Sequence, residues 1–314
     1  MGVSRQNIFG ATPAPLPAEP GSYGEAPSLH RLPDATTLGP VKLQVSDLGR
    51  SVDYYQQTLG LRLVDRGAKT AKFGAHGDSQ ALVELQQRPG AKPARNRGRT
   101  GLYHFAILLP DRQSLGSFIH HLSDTDVRVG SADHLVSEAL YLQDPDNLGI
   151  EVYADRPRNS WKRIGRELMM ASDPLDIHGL LAAAEGKPWA GMPSGTVMGH
   201  VHLHVGDTAA GSTFYSGALG FDRTVWHYPG ALFFGAGGYH HHLGTNTWAG
   251  TGATAPAEDE AQLLEWTIRL PDAAAVLAAR NSLERAGYGV GREDESFVAR
   301  DPWGTTVRVT AAGA

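Results

Sequence analysis

Apolar and polar residues alternate in short runs along most of this chain, and the runs are separated by turns or by stretches with helical spacing. Alternation with a period of two indicates strands, and a period near 3.6 indicates helices. Four strand-like runs end in an aspartate and precede a helical stretch; they span residues 40–47, 104–111, 200–207 and 265–272. The chain therefore repeats one strand–helix–strands unit four times. This predicts an α+β protein whose sheets curl into cups.

The spacing of the four aspartates divides the sequence into two halves. Asp47 and Asp111 lie 64 residues apart and Asp207 and Asp272 lie 65 apart, whereas 96 residues separate Asp111 from Asp207. The longer gap indicates an insertion between units 2 and 3, and the Pro-, Ala- and Gly-rich N-terminal segment has no sustained period. We therefore predict a flexible N-terminal arm over residues 1–37, a first two-unit domain over 38–153, a connector with one helix over 154–195, and a second two-unit domain over 196–314.

The composition excludes several kinds of site and of binding partner. No cysteine occurs among the 314 residues, which excludes disulfides, thiolate metal sites and thiol nucleophiles. The net charge is −5, without the basic run that nucleic acid or an anionic membrane would require. No run is apolar for long enough to be a signal peptide or a membrane span. We expect a cytoplasmic protein that binds small molecules, with no nucleic-acid or membrane partner; a homo-oligomer is compatible with these features.

Half of the 14 histidines fall within the third unit, and the repeat indicates which of them bear on function. Equivalent positions of a repeat occupy equivalent places in space. The position seven residues before the marker aspartate holds His104 in unit 2 and His200 in unit 3, and the last strand of unit 2 carries Glu151. Two imidazoles and one carboxylate are the facial set that holds non-haem Fe(II) and leaves open coordination positions. We predict a metal site at His104, Glu151 and His200.

Units 1 and 4 hold other residues at these positions. Unit 1 has Pro40, which cannot coordinate a metal, and unit 4 has Glu265 and Arg308, which we expect to pair with each other. A site between units 2 and 3 requires unit 2 to pair with unit 3 and unit 1 with unit 4. A competing site, formed by His200, Glu265 and one of residues 240–242, stays open at this point.

The sequence resembles the vicinal oxygen chelate superfamily, and within it the two-domain catechol 2,3-dioxygenase-type extradiol proteins. The resemblance covers about residues 38–310, and it rests on the motifs at residues 101–111, 133–141, 144–158, 199–207 and 237–242. It implies four βαβββ units that form two curled, cup-like mixed sheets flanked by helices. It further implies Fe(II), with Mn(II) as an alternative, held by His104, His200 and Glu151.

The resemblance implies a ring-cleaving dioxygenase that acts on a small aromatic diol with O2. A histidine with a pKa near neutrality is the natural acid or base beside the metal, and His134 and His242 are the candidates. His242 could instead be a fourth metal ligand, as in glyoxalase-type relatives. Tyr141 and Tyr239 are candidates to bond a substrate oxygen. Two alternatives remain in the same fold, a glyoxalase-type metal-dependent isomerase or lyase and a binding protein without catalysis.

Overall fold

Two large mixed sheets of eight strands each form this protein, and the α+β, four-unit expectation is confirmed. The computed structural model describes Ile8 and residues 14–125 and 127–313. Helices flank the sheets, and one continuous hydrophobic core includes residues from all four units. None of the described helices combines the length and the apolar character that a bilayer crossing requires.

The strands are short and follow the repeat closely. They are β1 (Leu16–Pro17), β2 (Thr37–Val45), β3 (Arg62–Arg66), β4 (Thr70–Gly74), β5 (Val83–Gln87), β6 (Gly101–Leu108), β7 (Gly130–Asp133), β8 (Ser137–Gln143), β9 (Gly149–Asp155), β10 (Lys162–Ile164), β11 (Glu167–Leu168), β12 (Val197–His204), β13 (Asp222–Val225), β14 (Ala231–Gly235), β15 (Leu243–Asn246), β16 (Gln262–Leu270), β17 (Val290–Glu293), β18 (Ser296–Arg300) and β19 (Thr306–Ala311).

Each of the four repeated helices starts at the aspartate that marks its unit. The helices are α1 (Leu48–Asp53), α2 (Arg112–Ser123), α3 (Ile177–Ala183, in the connector), α4 (Thr208–Ser212) and α5 (Ala273–Arg285); π-helical turns at Tyr54–Thr58 and Thr213–Ala218 extend α1 and α4. Asp47, Asp111, Asp207 and Asp272 each accept a hydrogen bond from the backbone N–H three residues on, at 2.7–2.9 Å. Such N-caps contribute about 1 kcal/mol each.

The two large sheets each combine one unit from either half of the sequence. Sheet I has the order β13-β14-β15-β12-β6-β9-β8-β7 and so joins units 2 and 3; sheet II has the order β17-β18-β19-β16-β2-β5-β4-β3 and joins units 1 and 4. The junction in sheet I is the antiparallel pair β6 and β12, and in sheet II it is the antiparallel pair β2 and β16. This is the pairing that a site between units 2 and 3 requires.

Tyrosine–aspartate hydrogen bonds link the units within each half of the sequence. The Tyr55 hydroxyl of unit 1 donates to Asp144 in the turn of unit 2 at 3.3 Å, and Tyr215 of unit 3 donates to Asp301 in the turn of unit 4 at 2.8 Å. All four residues are buried. Strand pairing and these buried contacts therefore join the four units in a closed cycle.

Residues 14–36 pack against unit 3 and the connector. Strand β1 pairs with β10, Leu32 is buried in the main core, and Arg31 forms two hydrogen bonds to Asp222, at 2.8 and 2.6 Å. For this segment the structure corrects the expectation of a flexible arm, because its few apolar and charged side chains find partners on the folded units. Apart from Ile8, residues 1–13 lie outside the described part of the chain.

We predict that Gly116→Ala destabilises the protein by about 2 kcal/mol, although alanine is the better helix former. A Cβ at Gly116 of α2 would lie 2.1 Å from the Leu180 carbonyl oxygen of α3, so the connector helix would have to move. Gly217→Ala is the matched control, since the nearest atom to its Cβ is 4.0 Å away. Urea unfolding of both variants tests this, and equal stabilities would contradict it.

Candidate metal centre

The candidate site lies on one row of residues across sheet I. His200 of β12 pairs with Ala106 of β6, Ala106 pairs with Glu151 of β9, and Glu151 pairs with Tyr141 of β8. His104 lies two residues from Ala106 and therefore on the same face of β6. The methyl group of Ala106 is the smallest side chain in this row, and it leaves space between His200 and Glu151.

Three ligand-type atoms converge at this space. The Nε2 atoms of His104 and His200 lie 3.0 and 3.1 Å from Oε2 of Glu151, and 3.4 Å from each other. Two atoms bound to one ion at about 2.1 Å and at right angles would be about 3.0 Å apart. In the part of the chain that the structure describes, no other His, Asp or Glu joins this group. The spacing and the donor types fit a single divalent cation.

Burial sets the electrostatics of the three side chains. All three are at most 5% exposed. Burial lowers the pKa of His104 and of His200, although the Glu151 carboxylate opposes this, so both rings are neutral at pH 7. Burial alone would raise the pKa of Glu151, but His200 and His104 outweigh it and hold that pKa well below its usual value. The site thus presents two neutral nitrogens and one anion, the protonation state that metal binding requires.

Two of the candidates from the sequence, Tyr141 and His134, lie beside the cluster. The Tyr141 hydroxyl is hydrogen-bonded to Nε2 of His134 and interacts with Glu151, while Nδ1 of His134 donates to the Ala171 carbonyl oxygen at 2.6 Å. Burial, followed by the charge of Glu151, raises the pKa of Tyr141 well above its usual value. Because Nδ1 of His134 is the donor to the Ala171 carbonyl, Nε2 is the atom that accepts a hydrogen bond from the Tyr141 hydroxyl.

His241 is a residue that the sequence analysis did not select. Its ring lies 4.1 Å from that of His200, and it is connected through His240 to Asp155: the two Nδ1 atoms are 2.7 Å apart, and Nε2 of His240 is 2.9 Å from Oδ1 of Asp155. The run of three histidines was visible in the sequence. Strand alternation could not choose among them, because β15 begins only at Leu243.

The hydrogen bonds of Tyr239 and His242 go to residues outside the group of His104, Glu151 and His200. The Tyr239 hydroxyl bonds that of Tyr153 at 2.7 Å, and it is the ring of Tyr153 that contacts His200. Nδ1 of His242 accepts the Ala236 N–H at 3.2 Å, and its ring packs on Phe221. Among the described residues, His242 does not join the group of three ligand-type side chains, so it does not supply the fourth ligand considered above.

The competing site with Glu265 is wrong. Glu265 lies on β16 in sheet II, where Arg308 binds both of its carboxylate oxygens at 2.7 and 3.0 Å. Arg308 also contacts Glu293. The expected pairing of Glu265 with Arg308 is thus confirmed, and a guanidinium occupies the place in sheet II that corresponds to the metal-ligand position in sheet I.

Comparison with known proteins identifies the family. Residues 37–152 match the Glyoxalase/Bleomycin resistance protein/Dioxygenase superfamily. Over 271 residues the chain is 41% identical to a catechol-2,3-dioxygenase of Bacillus subtilis strain 168, with 85% of this chain and 94% of the relative covered. The chain belongs to this superfamily. Its membership confirms the resemblance drawn from the motifs at residues 101–111 and 144–158.

Solved structures of superfamily members share the fold. A protein of Bacillus subtilis subsp. subtilis strain 168, described as a proposed dioxygenase, superposes with a TM-score of 0.61 at 14% identity and covers 91% of this chain and 87% of its own. Glyoxalase I from Zea mays superposes with a TM-score of 0.51 at 17% identity, covering 88% of this chain and 92% of its own. At these identities the superfamily structures establish the architecture alone.

We predict that His104→Ala and Glu151→Gln each reduce bound divalent metal to below about a tenth of the unsubstituted level, because each removes one of three ligand atoms. Glu265→Gln is the matched control at the equivalent position of sheet II, and it should leave the metal content unchanged. Elemental analysis together with circular dichroism checks both statements. Unchanged metal in either sheet I variant would contradict the site.

We also predict a pH dependence of stability that arises from His242. Burial lowers its pKa from 6.5 to about 3, so between these values the unfolded chain binds a proton that the folded chain does not. The free energy of unfolding is therefore lost as the pH falls below 6.5. Between pH 7 and pH 5, the free energy of unfolding should fall by about 2 kcal/mol less in His242→Gln than in the unsubstituted protein. Urea titrations at both pH values test this; parallel losses would contradict it.

Proposed function

We propose that this protein is an Fe(II)-dependent extradiol dioxygenase that cleaves catechol-like aromatic diols with O2. The observation that carries the proposal is the convergence of His104, His200 and Glu151 around one point. The relationship to a catechol-2,3-dioxygenase over most of both chains supports it. Superfamily membership alone would not, since the superfamily includes glyoxalases as well as dioxygenases.

The three protein ligands leave room for substrate. Two neutral imidazoles and one carboxylate give a divalent ion a net charge near +1, which a catecholate would neutralise. Bound Fe(II) would supply Lewis acidity toward the phenol oxygens and the redox chemistry that an aromatic diol and O2 require. Mn(II) accepts the same nitrogen and oxygen donors and is the alternative ion.

On the Glu151 side of the cluster, Tyr141 and His134 can accept a proton from a substrate hydroxyl. Donation of the Tyr141 hydroxyl to His134 leaves the Tyr141 oxygen as an acceptor for a substrate O–H. The Ala171 carbonyl fixes the His134 ring with its proton on Nδ1. Nε2 of His134 can therefore take up a proton that Tyr141 passes on, and the pair orients and deprotonates a diol beside Glu151.

On the His200 side, Asp155 and His240 set the tautomer of His241. The Asp155 carboxylate accepts a hydrogen bond from Nε2–H of His240, which leaves Nδ1 of His240 to accept a hydrogen bond from Nδ1–H of His241. His241 then carries its lone pair on Nε2. Burial lowers the pKa of His241 well below its usual value and keeps the ring neutral. We assign His241 as the second acid–base group, in the role that the sequence analysis gave to His242.

The glyoxalase-type alternative is less well supported. A fourth carboxylate or imidazole in the metal site would favour it, because that ligand would occupy the position that O2 requires. Among residues 14–125 and 127–313, the group contains three such ligands and no fourth. The dioxygenase is therefore the reading that the donor set favours.

The decisive assay uses protein purified without added metal. Fe(II) and catechol are added anaerobically, and air is then admitted. We expect oxygen uptake and a yellow ring-opened product that require both iron and O2. Zinc or nickel at one equivalent without oxygen uptake would overturn the proposal in favour of an isomerase or lyase, and absence of bound metal would overturn it in favour of a binding protein.

Tyr141→Phe and His241→Gln should each lower kcat by about 100-fold while iron content stays at one per chain, since general acid–base groups contribute 10²- to 10⁴-fold. Tyr288→Phe is the control for Tyr141→Phe, because the Tyr288 ring packs on Phe214, outside the metal centre. Its kcat should fall less than about threefold. Steady-state kinetics with iron analysis measures all three, and equal losses in the two tyrosine variants would refute the assignment of Tyr141.

A further inference from the structure

A cavity of about 730 Å³ lies between the two large sheets, and none of His104, Glu151 and His200 lines it. Residues of β2 and β16 in sheet II form one wall, and residues of β6 and β12 in sheet I form the other. Tyr141, His134 and His241 do not line it, whereas Tyr239 and His242, two candidates from the sequence, do. A cavity of this size accommodates a small organic molecule.

Two arginines line this cavity without a carboxylate partner. Arg269, at the end of β16, is partly buried; its Nη1 bonds the Gln80 side-chain oxygen, and its guanidinium lies so close to Gly39 that a Cβ there would be 3.1 Å from Nε. Arg158 donates to the Gly237 carbonyl and lies over the rings of Trp161 and Tyr239. Within the described residues, the hydrogen bonds of the two guanidinium groups go to uncharged oxygens, those of the Gln80 side chain and the Gly237 carbonyl.

The two aspartates in the cavity wall have partners of their own. Asp78 accepts hydrogen bonds from Ser194 Oγ and the Gly195 N–H at 2.7 and 2.9 Å, and Asp34 lies 3.5 Å from Arg31. Neither carboxylate compensates Arg158 or Arg269. Burial also lowers the pKa of Arg269, as expected for a guanidinium that has lost water and gained no anion.

The remaining wall supplies apolar surface and a neutral donor. Leu82, Leu108, Val197 and Met198 line the cavity, and Val197 is 46% exposed. His242 also lines it, and because its Nδ1 accepts the Ala236 N–H, its proton is on Nε2. The cavity thus combines apolar surface with two guanidinium groups that lack a carboxylate partner, of which Arg269 is partly buried and Arg158 is exposed at the rim.

We propose that this cavity is a second ligand site, which binds a small organic carboxylate with an apolar body. Guanidinium groups recognise carboxylates with paired N–H donors, and the apolar body packs on the side chains of β6 and β12. A ligand held by both arginines bridges sheets I and II. This site is independent of the metal chemistry proposed above.

Isothermal titration with benzoate, and with uncharged benzamide as its neutral counterpart, tests the proposal. We expect benzoate to bind with a Kd below about 1 mM and at least tenfold more tightly than benzamide. Arg158→Gln and Arg269→Gln should each weaken benzoate binding at least tenfold. Arg66→Gln, an exposed arginine on β3, is the matched control and should bind benzoate normally.

His104→Ala distinguishes this cavity from the metal centre, because benzoate in the cavity does not contact that ligand. Benzoate binding that survives His104→Ala and is lost in the arginine variants supports the proposal. Loss of binding in His104→Ala alone, equal affinity for benzamide or inorganic phosphate, or no benzoate binding at millimolar concentration would each overturn it.

Discussion

The antiparallel pairing of β6 with β12 is the contact on which the candidate site depends. It brings together the strands of His104 and His200, which are 96 residues apart in sequence. His200 lies opposite Ala106, and β9 places Glu151 on the other side of Ala106. A one-residue slip would turn His104 and His200 to opposite faces, because side chains alternate along a strand. The site therefore exists only in this register.

Sheet II shows what the same architecture becomes without the ligands. Strands β2 and β16 pair as β6 and β12 do, but an Arg308–Glu265 ion pair stands where sheet I has its cluster. In sheet II the Glu265 carboxylate is paired with a guanidinium, whereas sheet I offers two imidazoles and one carboxylate that could hold a cation. Equivalent positions of the repeat thus hold a partly buried ion pair in sheet II and a cluster of metal-ligand donors in sheet I.

The repeat made the helix starts and the candidate metal ligands predictable from the sequence. The marker aspartates predicted the helix starts because an N-cap is a local interaction, and His104, His200 and Glu151 followed because equivalent strand positions point the same way. His241 could not be chosen over His242, since the chain bends at Gly237 and Gly238, both with positive φ, and strand alternation does not extend through the bend. The packing of residues 14–36 was also not predictable, because it depends on partners such as Asp222 that are distant in sequence.

A single iron ion held by His104, His200 and Glu151 is central to the proposed function. Anomalous diffraction at the iron absorption edge, from crystals grown anaerobically with Fe(II), tests this most directly. We expect one strong anomalous peak per chain, within about 2.3 Å of the Nε2 atoms of His104 and His200 and of a Glu151 carboxylate oxygen. A peak in sheet II beside Glu265, or no peak between β6, β9 and β12, would contradict it.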